Sequence, residues 1–189
     1  NRKVLCFVTF ENGNADADCT GVTYGGNAMT LVGKVKLGTG YVAFASLWYI
    51  DEASLPSNGA NDNIVSFTGT YSSFECQVYI AEYGGIAQGA PDSSDTASQS
   101  TGAEIANAVS AIPSTAWAFS SMHAGNTGSW TQNQGQTELW DFTDNSSQAG
   151  VAELRGGSGE TSLSSTFGGS VNRLCRVCGV WDEATSGQT

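Results

Sequence analysis

The chain has 189 residues, of which 40% are hydrophobic, enough for one domain with a core. Charged residues make up only 13%, while glycine and small polar residues are abundant, a composition typical of secreted β proteins. The formal net charge of -11 argues against nucleic acid or anionic membranes as partners, because both attract basic surfaces. Apolar runs are shorter than the ~18 residues of a membrane-spanning helix, so we expect no membrane insertion. We expect an extracellular protein. The sequence begins with Asn1 rather than Met, which a processed N-terminus would explain, although a sequence that starts partway along a longer chain would look the same.

The first apolar segment, Lys3 to Phe10, predicts a β-strand buried on both faces. Residues two apart share a face of a strand, and here both sets are apolar. A terminal strand of this kind can complete the sheet of a neighbouring molecule. We therefore expect an N-terminal donor strand with an acidic loop over residues 1–19, and a second region over residues 20–189. The predicted assembly contacts are Val4, Cys6, Val8 and Phe10 on one face, with Leu5 and Phe7 on the other.

Later segments predict further strands and turns. The glycines of Gly21 to Val32 predict a hairpin, because they permit the positive φ of a tight turn. The segment from Tyr41 to Ile50 is apolar on both faces, which predicts a central strand. Phe74 to Tyr83 alternates, which predicts Phe74, Cys76, Val78 and Ile80 in the core and Gln77 in water. Gly84 to Gly102 is predicted to be a long loop, and Ala103 to Ile112 a strand.

About eleven or twelve short segments of this kind, without a long amphipathic helix, predict an all-β antiparallel sandwich. We expect jelly-roll topology, since two-sheet jelly rolls accommodate many short strands and long loops. No internal sequence repeat is apparent.

Three motifs carry a family resemblance: Gly21 to Val32, Leu47 to Ile50, and Gly135 to Trp140. In this order they resemble a family of single-domain, jelly-roll-like sandwich proteins found in phage virions and as secreted or filament-forming proteins of environmental bacteria. The resemblance covers roughly residues 20 to 181. It implies a structural or adhesive role without a cofactor, and it supplies no catalytic residue.

Five cysteines are present, and an odd number leaves at least one without an intrachain partner. An extracellular setting favours disulfides, and we expect a bridge from Cys6 to the last strand. The alternative is that the thiols are small buried hydrophobes. Cys175 and Cys178 are spaced like a redox or zinc pair, but residues three apart in a strand face opposite sides. The disulfide candidates are Cys6, Cys19, Cys76, Cys175 and Cys178.

The residues suggest no enzyme, no cofactor and no metal site. The one histidine, His123, lacks a nucleophile elbow nearby, and we expect it on the surface. Glycosidases need two carboxylates across a sugar, for which Glu138 with Asp141 or Glu75 with Glu82 are the candidates. Outward carboxylates are commonplace on a soluble sheet, so we interpret all four as surface charges.

Carbohydrate contact is a separate expectation. Aromatic rings stack on sugars, and Trp130 lies in a polar, loop-like stretch where an exposed ring is expected. Asn145 begins an Asn-Ser-Ser sequon, a candidate for glycosylation.

The function expected from the sequence is that of a non-enzymatic subunit of an extracellular filament, built from identical copies by exchange of the N-terminal strand. The alternatives are a phage virion component, such as a decoration or fibre protein, and a secreted, lectin-like module that binds glycans.

Overall fold

The computed structural model describes residues 1–57, 62–70, 72 and 74–185. The first half of the chain forms seven strands and one short 3-10 helix, Glu52–Ser54. These strands are β1 (Arg2–Asn12), β2 (Asp18–Tyr24), β3 (Asn27–Ala28), β4 (Thr30–Leu37), β5 (Val42–Asp51), β6 (Asn63–Thr68) and β7 (Glu75–Gly84). The second half forms β8 (Ser93–Gln99), β9 (Glu104–Ala108), β10 (Ala116–Ala124), β11 (Trp130–Gln132), β12 (Thr137–Asp144), β13 (Ser147–Arg155), β14 (Ser162–Phe167) and β15 (Leu174–Asp182).

The strands form four antiparallel sheets that stack as layers. We name them sheet I (β4-β5-β1-β7), sheet II (β12-β13-β10-β15-β8), sheet III (β3-β2-β6) and sheet IV (β11-β14-β9). Sheets I and II face each other across the central core, which contains Leu5, Phe7, Phe119 and Trp181. Sheet III covers the outer face of sheet I, and sheet IV covers the outer face of sheet II. The order of layers is therefore III, I, II, IV.

The prediction of an all-β antiparallel protein is confirmed. The finer prediction of a two-sheet jelly roll is not confirmed, because the strands divide among four sheets. The two inner sheets are covered on both sides, and this explains why β1 and β5 are apolar on both faces.

The two halves of the chain repeat one arrangement, which the sequence did not reveal. The order β4-β5-β1-β7 in sheet I matches β12-β13-β10-β15 in sheet II, strand for strand along the chain. The pair β2 and β6 in sheet III likewise matches β11 and β14 in sheet IV. We call β1 to β7 the first unit and β10 to β15 the second unit. The strands β8 and β9 lie between the units in sequence and extend the two sheets of the second unit.

A shared β-bulge fixes which residues correspond. The pairing of β4 with β5 shifts between Leu31 and Gly33, and the pairing of β12 with β13 shifts between Glu138 and Trp140. Following the strand pairs outward from these bulges, Leu5 corresponds to Phe119, and both side chains lie in the central core. The same registers make Val78 of β7 the equivalent of Arg176 of β15.

Two predictions about local structure are wrong. The predicted loop from Gly84 to Gly102 contains β8, whose side chains are small and polar because its alternate residues face solvent. The predicted faces of β7 are also wrong in part, since Val78 is 39% exposed and Gln77 is 4% exposed. Both faces of sheet I are covered by other sheets, and Val78 lies in an edge strand where that cover stops. The strand predicted within Ala103 to Ile112 is confirmed by β9.

Candidate assembly surface

The first strand pairs with a neighbour on each side over nearly its whole length. Arg2 to Glu11 pair with β7, and Lys3 to Asn12 pair with β5, both antiparallel and without a shift in register. All of β1 except Arg2 is buried. In this structure β1 therefore completes the sheet of its own chain, between strands that come from the region 20–189.

The six predicted assembly residues divide between two cores. Leu5 and Phe7 point into the central core between sheets I and II. The other four, Val4, Cys6, Val8 and Phe10, point into the core under sheet III, where Phe10 stacks on Phe44 with ring centroids 4.3 Å apart. Removing β1 would therefore open both cores at once.

Ion pairs hold the two ends of β1. Lys3 Nζ lies 2.5 Å from Asp51 Oδ1 and 2.8 Å from the carbonyl oxygen of Gly89, although the Lys3 side chain is fully buried. Burial lowers the pKa of Lys3, and the bond to Asp51 opposes that effect. At the other end, Glu11 Oε1 accepts a hydrogen bond of 3.0 Å from Arg173. Burial raises the pKa of Glu11, and Arg173 opposes the rise.

The five cysteines are free thiols in the structure. Cys6, Cys19 and Cys76 lie in the core under sheet III, whereas Cys175 lies in the central core and Cys178 lies between sheets II and IV. The predicted bridge from Cys6 to the last strand is not formed, because Cys6 faces away from β15 across sheet I. The expectation that Cys175 and Cys178 face opposite sides is confirmed. Burial raises the pKa of Cys19 to about 11 and of Cys76 to about 12.

One side of the molecule exposes an unpaired strand edge of the first unit. Sheet I ends at β7 and sheet III ends at β6, and within the described residues no strand pairs with their outer edges. Three large apolar side chains on these strands or beside them are exposed: Ile64 by 52%, Val78 by 39% and Phe74 by 37%. The register between β1 and β7 has no bulge, so this edge is regular. A regular open edge can accept another strand.

An aromatic stack lies beside this edge and links sheets I and II. The Tyr79 ring stacks on Trp140 with centroids 5.8 Å apart, and Trp140 stacks on Phe142 with centroids 5.4 Å apart. Phe142 is 44% exposed. The apolar character of this side therefore continues from the first unit onto β12 of the second.

Two expectations about exposure are wrong. His123 is fully buried in β10 rather than at the surface, and burial lowers its pKa to about 3. Trp130 is 3% exposed, because it packs on Phe167 and against the open backbone of Gly150. Its ring presents no free face on which a sugar could stack. Asn145, by contrast, is exposed in the turn between β12 and β13.

Three of the four candidate catalytic carboxylates take part in structural contacts. Glu75 accepts hydrogen bonds from Ser146 and Ser147, and Glu82 pairs with Arg2. Asp141 accepts from the backbone N–H of Trp130, at 3.0 Å. Over the ranges that the structure describes, no three His, Cys, Asp or Glu side chains gather where they could hold a metal ion.

Sequence reasoning missed a buried arginine between sheets II and IV. Arg176 is fully buried and donates hydrogen bonds to Asn107, Gln136 and Ser120, at 2.9, 2.8 and 2.7 Å. It also donates to Ser165. Burial lowers its pKa to about 10. Its partners come from distant strands, so the sequence around Arg176 contains no signal for this network.

The fold and this open side define an all-β protein of packed antiparallel sheets, with a strand edge to which no described strand pairs. Comparisons with family models, with curated proteins and with solved structures found no match to the chain. None of the described helices has the length and apolarity needed to cross a membrane.

Proposed function

We propose that the chain is a non-enzymatic structural subunit that self-assembles into an extracellular filament by exchanging β1 between identical copies. The observation that carries this proposal is the position of β1. It is the first strand of the described chain, it pairs along two neighbours, and it is buried on both faces. A copy that received β1 from a neighbour would make the same contacts as a copy that kept its own.

The segment after β1 is suited to act as the hinge of such an exchange. Residues 13–17 connect β1 to β2 without belonging to either strand. Asn12 to Asp18, when extended, spans roughly 20 Å, enough to lead the strand out of its own sheet. In the structure, the carbonyl oxygens of Ala15 and Ala17 in this loop accept hydrogen bonds from Lys36 of β4, and Asp18 at the start of β2 accepts one from Lys34. Extension of the hinge would release the bonds to Lys36, whereas the bond between Lys34 and Asp18 joins two strands that stay in place.

A family resemblance supports this proposal. The chain resembles jelly-roll-like proteins of virions and secreted filaments through Gly21 to Val32 and Gly135 to Trp140. These two motifs lead into β4 and β12, the equivalent bulged strands of the two units. We propose an extracellular filament rather than a virion component. The chain is acidic overall but has few charged residues, and this composition is typical of secreted proteins. The exposed Asn145 is proposed as a glycosylation site.

Cysteine crosslinking tests the exchange directly. Thr9 and Ala45 are direct partners in β1 and β5, so Thr9→Cys with Ala45→Cys places two thiols across the ladder. Assembled material is oxidised and run on a non-reducing gel, with Thr9→Cys alone as the control. Exchange predicts a ladder of covalent oligomers, because the two cysteines belong to different chains. Bands of monomer only, from filaments seen by electron microscopy, would overturn the exchange of β1.

A further inference from the structure

A cleft of about 500 Å³ lies between the two units, at the end of the molecule where β1 and β10 finish. The first unit contributes Glu11 and Glu75 to its lining, and the second unit contributes Asn126 and Arg173. Glu11 shares a face of β1 with the apolar residues of the central core, because residues two apart in a strand point the same way. The cleft is therefore the polar end of the space between sheets I and II.

Two carboxylates lie side by side in this cleft. Glu11 and Glu75 are direct partners in the antiparallel ladder between β1 and β7. Hydrogen bonds from Ser146 and Ser147, at 3.1 and 2.9 Å, hold the carboxylate of Glu75 in place. Like charges directly opposite each other destabilise a sheet, and Arg173 pairs with Glu11 alone. The stability of the ladder therefore does not explain why both residues are acidic.

The cleft also has buried polar atoms that lack a hydrogen-bond partner among the described residues. Glu11 is only 4% exposed, and its Oε2 has no partner, whereas its Oε1 accepts from Arg173 at 3.0 Å. Arg173 Nε likewise has none. The same is true of both ring nitrogens of His123, which is fully buried near Arg173. Buried polar groups in folded proteins are nearly always hydrogen-bonded, so these atoms indicate a ligand at this place.

We propose that the cleft binds a neutral saccharide, with Glu11 and Arg173 bonded to its hydroxyl groups and Tyr41 packed on its ring. A hydroxyl group donates one hydrogen bond and accepts others, so the hydroxyls of a sugar match the free acceptor of Glu11 and the free donor of Arg173. The side-chain amides of Asn126 and Asn172, which also line the cleft, can donate and accept as well.

Tyr41 supplies the apolar part of the site. Its side chain is 51% exposed beside the polar groups, and the guanidinium of Arg173 lies 6.0 Å from the centroid of its ring. A sugar ring has C–H groups on its faces and hydroxyl groups around its edge. Aromatic side chains provide a flat apolar surface on which such a face packs. The cleft thus presents both kinds of surface that a saccharide needs.

The charges of the cleft disfavour ionic ligands. An anion would meet the carboxylates of Glu11 and Glu75 on a chain of net charge -11. A metal ion would meet the guanidinium of Arg173, which the carboxylate of Glu11 and the carbonyl oxygen of Gly125 hold at 3.0 and 3.2 Å. A Cβ at Gly125 would lie 2.6 Å from Arg173 Nη2, so the glycine leaves room for this cation. A neutral ligand avoids both repulsions.

The inference is independent of the proposed function. A β1 received from a neighbouring copy would place Glu11 at the same position in the ladder as the chain's own β1. The cleft would therefore bind sugar in a monomer and in a filament alike.

A titration followed by nuclear magnetic resonance tests the site. The protein is produced without glycosylation, because Ser146 of the Asn145 sequon lines the cleft. The probes are the neutral disaccharides lactose, cellobiose, mannobiose and N,N′-diacetylchitobiose at millimolar concentration. We expect at least one of them to shift the amide signals of Gly125, Asn126 and Asn172 until they saturate. Failure of every probe to do so would overturn the proposal.

Three variants show whether the bound sugar uses the proposed contacts. Glu11→Gln keeps the size of the side chain but removes the charged acceptor, and should weaken binding about tenfold. Tyr41→Ala removes an exposed ring and should weaken binding about fivefold without unfolding the chain. Phe142→Ala is the matched control, since Phe142 is an exposed ring outside the cleft, and it should bind as the natural chain does. Circular dichroism verifies that each variant is folded. Equal affinity of Tyr41→Ala and Phe142→Ala for the sugar would place its binding elsewhere and overturn the site.

Discussion

Lys3 and Asp51 face each other across β1 and β5, and their ion pair of 2.5 Å lies at the end of the ladder between these two buried strands. The Lys3 ammonium also lies 4.3 Å from the centroid of the Tyr49 ring. A shift of β1 by one residue would move its side chains to the opposite core and leave this cation without its carboxylate. Because both faces of β1 are apolar, burial alone fixes its register only weakly. The ion pair between Lys3 and Asp51 therefore specifies the register.

Removing the carboxylate should cost more than removing the cation. We expect Asp51→Asn to lower the free energy of unfolding by about 2 kcal/mol, since it leaves the buried Lys3 charge unpaired. Lys3→Met keeps the buried chain without the charge and should change stability by less than about 1 kcal/mol. Urea unfolding followed by tryptophan fluorescence measures both. Equal losses for the two variants would contradict the role of Asp51 as the required partner.

The burial of β1 was predictable because the residues of the strand itself are apolar on both faces. Val4 and Leu5 are apolar neighbours in sequence that point to opposite faces, and opposite faces of an inner sheet meet different cores. Which layers cover the strand was not predictable. Sheets III and IV are built from short strands, and nothing in the sequence of those strands shows which inner sheet they pack against.

The structural repeat and the burial of Arg176 and Trp130 could not be predicted from the sequence, for a different reason. Equivalent positions contain unlike residues, such as Val78 and Arg176, because β8 and β9 lie beside the second unit and no described strand lies at the same place in the first. The polar neighbours of Trp130 predict an exposed ring, but its burial depends on Gly150 in another sheet. Contacts between residues far apart in sequence leave no local pattern.

The packing of Trp130 against Gly150 can be tested by adding one methyl group. A Cβ at Gly150 would lie 2.6 Å from Trp130 Cδ1, far inside a normal contact. We expect Gly150→Ala to destabilise the protein by about 2 kcal/mol through overpacking. Trp130→Leu should lose stability alone, yet Gly150→Ala should cost much less in that background. The double-mutant cycle is measured by thermal unfolding, and strict additivity would refute the contact.

The thiols should be reduced and slow to react in the folded protein. Burial raises the pKa of Cys175 to about 12 and of Cys178 to about 11, so at pH 8 the reactive thiolate is scarce. We expect mass spectrometry to find little alkylation by iodoacetamide in the native state. After unfolding without a reductant, all five cysteines should be alkylated. Fewer than five modifications would show that disulfides form.

His123 should make stability depend on pH below neutrality. Its folded pKa is about 3, below the 6.5 of an exposed histidine, so between these values the unfolded chain binds more protons. Stability should therefore fall as the pH decreases from 6.5, by about 2 kcal/mol at pH 5. His123→Gln lacks the titrating ring and should lose this part of the dependence.

The comparison of His123→Gln with the natural chain also separates the histidine from its neighbours. Burial raises the folded pKa of Glu11, which favours the folded state as the pH falls, opposite in sign to the histidine. Glu11 and Arg173 are present in both proteins, so their effects cancel in the difference. Urea midpoints at pH 7 and pH 5 provide the measurement. If both proteins lost the same stability between pH 7 and pH 5, His123 would be accessible to protons in the folded state.

Substitution of Arg176 tests whether the two units differ because β8 and β9 cover the last strands of the second unit. Arg176→Met should lower the free energy of unfolding by about 3 kcal/mol, because Asn107, Gln136 and Ser165 would lose a buried donor. The matched control is Val78→Met, the same new residue at the equivalent and exposed position of β7, which should stay within about 0.5 kcal/mol. Both are measured by chemical unfolding of the monomer. A small effect at Arg176, similar to that at Val78, would mean that β9 does not close over β15 as the structure places it.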